Sequence, residues 1–485
     1  MNAPNSKKAM KGILTITILF CCSAALLGQM ITVSEEISLR NDAGYELIGD
    51  LRGNMLLFRD RNTEYEVQAF DERLQPSWSK TLELDKKFPK AIKVIGGKSD
   101  FTLLYHFRHK GHTILKAHRY DPAANLLDSA TVMDYGYLFF TPGFEVVRSD
   151  DKTKAIVYYI EKQNIVRACA LDLGTLDRLW EKSFSLSDFY FGMDEFQVTV
   201  DNDGRMFLII ERNNYKSKRK QHYYEVVECS GNPMEADGRY QVVLEDKLTY
   251  DVYFSYDNLN KRLVGAGLYY EKNLERAEGY FFLSIDPRKE DGHLLRFEPF
   301  DDAFVATLLG KENISKNKGI SEVNVQEVVL RRDGGVLIII ERNRQLERRS
   351  GTNNRSFYDS GARAIIDYYY DELIVISVHP SGETHWKSIL HKKQYSQDDN
   401  GIYSSYFLFK TPGNLRFLFN DEIRPENTVS EYILNGLGEY NRKGLLSTEH
   451  LDLKLRFKDA VQVDANAVVV PSERRNRLKL MKLVY

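Results

Sequence analysis

Cysteine and tryptophan are scarce in this chain, whose 485 residues hold only 4 Cys and 3 Trp. Cys21 and Cys22 fall in an N-terminal apolar stretch, leaving Cys169 and Cys229 beyond it. Two cysteines cannot build a disulfide framework, and separately buried thiols are the expectation. No charge of one sign prevails: 67 Lys and Arg offset 69 Asp and Glu, a net charge of -2 that excludes a general pull toward nucleic acid or anionic membrane. After the N-terminus no apolar run is long enough for a membrane-spanning helix. Gly-x-Ser-x-Gly, a phosphate loop and His-Glu-x-x-His are all missing, so no motif names a reaction and no cofactor is expected.

What is present begins with an export signal. Lys7, Lys8 and Lys11 precede an apolar stretch from Ile13 to Leu27, with small residues before the polar Glu35-Glu36. Residues 1–28 are therefore expected to be a cleaved signal peptide, and the mature chain to be periplasmic or outer-membrane-associated in a Gram-negative envelope. The whole chain is 43% apolar and rich in Tyr (29) and Phe (26), enough for a core and suited to sheet.

One tag recurs: a glycine turn, four or more apolar residues, then an acid, a base and an asparagine. It runs Gly53 to Asn62, Gly204 to Asn213 and Gly334 to Asn343, with looser copies ending at Asn164, Asn273 and Asn476. Recurrence at roughly 50 to 60 residues, or multiples of that, marks a repeat architecture. Within each unit the apolar run is continuous, which predicts a strand buried on both faces. The three tryptophans, Trp78, Trp180 and Trp386, share one slot, just after the turn that opens the fourth strand.

Four-stranded units packed face to face around an axis predict an all-β propeller over residues 31–485, with seven blades as the alternative to eight. Units fall near 46–84, 89–135, 143–186, 194–245, 248–300, 324–391, 401–451 and 459–485. The last is one strand short, and Ile31 to Leu39 is expected to supply it, closing the ring and removing exposed edges. Insertions are expected at 301–323, where Ala303 to Leu309 has a helical rhythm, and at 343–360, a long hairpin.

The segment Ala170-Leu171-Asp172-Leu173-Gly174-Thr175-Leu176-Asp177-Arg178-Leu179-Trp180-Glu181 resembles the repeat of quinoprotein-type propellers. The match is partial around Trp78 and Trp386, and the remaining units keep the rhythm without the Trp. That class includes quinone-dependent dehydrogenases and non-enzymatic outer-membrane assembly scaffolds. Its dehydrogenases set a vicinal disulfide against their cofactor, and here the only adjacent cysteines, Cys21-Cys22, lie in the export segment. The resemblance therefore implies the fold without quinone catalysis.

In a propeller all hairpins between second and third strands leave on one face. Arg61, Lys162, Arg212, Lys272, Arg342 and Arg474 of the tags would ring it, either as cross-strand pairs or as a docking rim. Two of these hairpins are strongly basic, one holding Lys216, Lys218, Arg219 and Lys220, the other Arg342, Arg344, Arg348 and Arg349. They are the expected surface for an envelope protein or an anionic glycan. His109 and His112 flank a two-residue turn but make only half a zinc site, so no metal is expected. Asp201-Asn202-Asp203-Gly204 lacks the further acids of a calcium loop and reads as a turn. The expected role is non-enzymatic binding or scaffolding; the alternative is a glycan hydrolase or lyase with its site in the central funnel.

Overall fold

A computed structural model describes residues 29–485 apart from 63, 86–87, 187–188, 190–193, 218–219, 232–236, 273, 290–291, 311–318, 350–363, 424–427 and 449. The signal-peptide segment 1–28 lies outside the described residues. Eight antiparallel sheets follow one another along the chain as blades 1 to 8 of a propeller. Blade 1 spans 44–82, and blades 2 to 7 span 90–137, 145–185, 196–243, 248–299, 323–390 and 407–447. Blade 8 spans 461–484 and takes its outermost strand from Met30–Val33, which pairs Met30 with Val484 and Val33 with Met481. The expected N-to-C closure is therefore present, and Ile37–Ser38 adds a second short pairing to the same last strand.

The continuous apolar runs are explained by which neighbour each residue serves. In blade 4, Met206, Leu208 and Ile210 enter the core shared with blade 3, while Phe207 and Ile209 enter the core shared with blade 5. In blade 1, Leu56 and Phe58 face blade 2, and Met55 and Leu57 face blade 8. Alternate side chains of one strand thus feed two cores, each fully buried side chain contributing about 1.5–3 kcal/mol. Among the described residues such a core lies at each of the eight blade interfaces.

The tryptophans do share a slot. Trp78, Trp180 and Trp386 on the outermost strands face Ala69, Ala170 and Ser377, each beside a β-bulge. Small partners on the third strand leave room for the indole. Trp180 and Trp386 reach the next blade, donating to the Gly204 and Gly436 carbonyls at 2.9 and 3.1 Å.

Both insertions depart from the four-stranded unit. The first forms the helix Asp302–Leu309, capped by the Asp301 carboxylate at the Phe304 N–H and by Gly310 in a left-handed conformation. In blade 6 the second and third strands lengthen to Val336–Arg349 and Ala364–Val378, so 343–349 of the expected hairpin is ladder, while 350–360 lies outside the described residues. Gln394–Gln397 pairs with the lengthened third strand as a fifth strand that the sequence pattern did not signal.

Candidate functional site

The tag closes the second strand because its asparagine turns the chain: Asn62, Asn213 and Asn476 have φ of 64°, 56° and 61°. In blade 6 a β-bulge between Glu341 and Asn343 replaces that turn and the ladder continues. The bases of the tag divide into paired and free. Arg61 meets Glu66 at 2.6 Å, buried Arg212 meets Glu225 at 2.9 Å, and Arg474 meets Asp452. Lys162 is exposed and has no ion-pair partner among the described residues. Lys272 is exposed, and its carbonyl accepts a hydrogen bond from Lys216 Nζ at 2.8 Å, tying the blade 4 hairpin to blade 5.

The two basic hairpins differ. In blade 6, Arg342 pairs with Glu372 at 3.1 Å, Arg344 lies 3.9 Å from Glu322 and 4.4 Å over the Tyr369 ring, and Arg348 pairs with Asp367. Arg349 pairs with Ala364 in the backbone ladder. That cluster is largely neutralised by acids arriving from elsewhere in the chain. In blade 4, Lys218 and Arg219 lie outside the described residues. Lys220, by contrast, lines a cleft of about 840 Å³ with Arg212, Arg239, Asp194 and Glu225. Arg212 and Arg239 share Glu225 at 2.9 and 3.2 Å, while exposed Lys220 has no carboxylate partner among the described residues.

Acids on the same face are mostly held by bases. Glu161 meets Arg167 at 2.5 Å, Glu271 meets Lys247 at 3.6 Å, and Glu341 meets Lys392 at 2.6 Å. In a cleft between blades 8 and 1, Arg456 binds Asp459 at 2.6 Å and also Glu473, which accepts the Tyr45 hydroxyl at 3.2 Å. Glu211 is the exception. Burial, reinforced by Glu195, pushes its carboxyl up to about 8, and burial also raises Asp251.

His109 and His112 do face each other across their turn. His112 Nδ1 lies 3.0 Å from Asp134 Oδ2, and its ring packs edge-on to Tyr137. Among the described residues no group of three or more His, Cys, Asp or Glu is arranged to hold a metal ion. The Asp201 carboxylate accepts the N–H groups of Asp203 and Arg205 and the Arg205 guanidinium at 2.6 Å, so that segment is a turn. Cys169 and Cys229 are free and buried in different blades, and burial pushes their thiols up to about 11 and about 12.

A second basic cleft, unmarked in the sequence, lies where the ring closes, joining Arg40 to Arg474, Arg475, Arg477 and Lys479.

No family model matches the chain, and no curated protein does. Similar solved structures include the polysaccharide lyase Uly1, at 8% identity and a TM-score of 0.37 over 93% of this chain and 99% of that one. A quinohemoprotein alcohol dehydrogenase from Comamonas testosteroni is 11% identical, with a TM-score of 0.41 over 94% and 76%. Sqt1 from Saccharomyces cerevisiae is 10% identical, with a TM-score of 0.40 over 92% and 97%. Similarities this low carry no argument about activity.

Proposed function

We propose that the chain is an exported, non-enzymatic binding or scaffolding module of the bacterial cell envelope. Its hairpin face would dock an anionic partner, an envelope protein or glycan. The supporting observation is the blade 4 cleft lined by Arg212, Lys220 and Arg239, with Lys220 on the hairpin that also carries exposed Lys216. Three cations against Asp194 and Glu225 leave an attractive field for carboxylate or phosphate. The Lys216→Ala/Lys220→Ala double variant should fold normally and lose salt-sensitive capture of envelope material from a membrane extract. Capture equal to the wild type, or none by either protein, would overturn the reading.

The alternative, a glycan hydrolase or lyase, has one observation in its favour. Glu211, held protonated near neutral pH, lies close enough to Glu195 for the two charges to interact, as an acid and a carboxylate must in glycoside cleavage. Against it, Tyr224 and Tyr270 beside Glu211 are buried, which places this carboxyl in a blade interface. Turnover of a glycan by the wild type but not by Glu211→Gln would favour the enzyme.

A further inference from the structure

The ring closes where the first described strands lie along the last strand, Arg477–Val484. Beside this seam opens a cleft of about 710 Å³. One wall is N-terminal, with Glu36, Ser38 and Arg40; the other is the last hairpin, with Arg474, Arg475, Arg477 and Lys479. Arg475 and Asn476 both have left-handed backbone, at φ 51° and 61°, a two-residue turn that carries Arg475 away from the ladder.

Two acids enter the cleft and both are taken. Asp452 pairs with Arg474, and Glu36 lies 3.1 Å from Arg477. Lys479 Nζ donates to the Leu451 carbonyl at 3.3 Å, which leaves its charge uncompensated. Arg40 and Arg475 are exposed and have no ion-pair partner among the described residues. Five cations therefore meet two acids, and guanidinium forks predominate. Planar forks suit the paired oxygens of carboxylate and phosphate groups, which they bind bidentately.

We infer that the closure seam is a binding site for an oligoanion bearing carboxylate or phosphate groups, gripped from both walls by Arg40 and Arg475. This rests on the anion-binding reading above but uses none of the blade 4 residues. Because the walls come from opposite ends of the chain, a ligand bridging them also holds the ring shut. Binding is thereby linked to stability of the closed propeller.

The test is calorimetric titration and thermal unfolding of the full chain with two probes, an oligogalacturonate for carboxylated glycans and tripolyphosphate for phosphates. Whichever probe matches should raise the melting temperature with increasing concentration. Arg40→Ala/Arg475→Ala should weaken its binding at least about tenfold, the loss expected for charge-assisted hydrogen bonds. Glu36→Gln frees Arg477 and should tighten binding, an outcome that misfolding cannot mimic. Lys216→Ala/Lys220→Ala should leave seam binding intact, so failure of the blade 4 reading is told apart from failure of this one. Equal affinity of wild type and Arg40→Ala/Arg475→Ala for both probes, or no response to either at millimolar concentration, would overturn the assignment.

Discussion

Substituting Lys392 tests whether the hairpin face is a desolvated structural layer as well as a surface. The Lys392 and Glu341 side chains are both 0% exposed and pair at 2.6 Å. Burial pushes the Lys392 ammonium down from its ordinary range, and Glu341 opposes that shift. Lys392 Nζ also donates to Gln394 Oε1 at 2.9 Å and to the Tyr370 carbonyl at 3.2 Å, while Ser405 Oγ donates to Glu341 at 2.6 Å. Gln394 continues to the Asn420 carbonyl at 2.7 Å, and Asn420 to Leu455 at 2.8 Å, so the network joins blades 6 and 7 to the loop before blade 8. Lys392→Met leaves a carboxylate buried with Ser405 as its remaining donor, a loss of about 3–5 kcal/mol. Because unfolding entropy grows with chain length, at about 1 kcal/mol per kelvin for some 450 residues, the melting temperature falls by only about 3–5 °C. Denaturant titration is the better assay. Adding Glu341→Leu removes the stranded charge and should restore much of the stability, leaving about 1–3 kcal/mol for the unsatisfied Ser405 and Gln394 groups. A Lys392→Met variant within about 1 kcal/mol of wild type, or strict additivity of the two substitutions, would refute the reasoning.

Glu211 gives a pH signature. Its folded pKa, about 8, lies above the ordinary glutamate value of 4.5, so the stability it lends is complete below pH 4.5 and is lost as pH rises to 8. Wild type should therefore lose on the order of 4 kcal/mol more than Glu211→Gln between pH 5 and pH 8.5, measured by denaturant titration; parallel curves would count against it. Trp180→Phe removes the 2.9 Å bond to Gly204 and should cost about 1–2 kcal/mol by the same assay. Truncation through Ser38 strips one edge of Arg477–Val484 of its partners and uncovers Leu478 and Leu480 within it. Light scattering should then show edge-to-edge association absent from the full chain.

The fold was legible because its main device writes itself into consecutive residues. A strand feeding cores on both sides, as Met206 to Ile210 does, must be apolar without alternation. The missing strand at the C-terminus was equally readable, since a unit one strand short needs a partner to cover its edge. The extra strand Gln394–Gln397 was not readable. Gln394 and Ser396 are buried as members of a polar network, so the strand lacks apolar alternation and looks like a loop. The turns into the outermost strands hid a second repeat. Asp71, Asp121 and Asn435 each accept backbone N–H groups two and four residues on, a pattern the scattered sequence spacing did not advertise.

The site was less legible than the fold because charge is a pairwise property. Arg342, Arg344 and Arg348 form a charge run in sequence, yet Glu372, Glu322 and Asp367 reach them from other segments. Arg40 and Arg475 stand at opposite ends of the chain and meet only because the ring closes. Backbone geometry separates the two kinds of base. A base within a ladder has a cross-strand neighbour within reach, as Arg212 on the second strand has Glu225 on the third. A base at a left-handed turn position, as Lys162 and Arg475 are at φ 53° and 51°, stands beyond the last ladder pair and keeps its charge for solvent or a ligand. The tag thus places bases of both kinds on one face, and the side of the turn on which each falls decides whether it holds the blade together or remains free to bind.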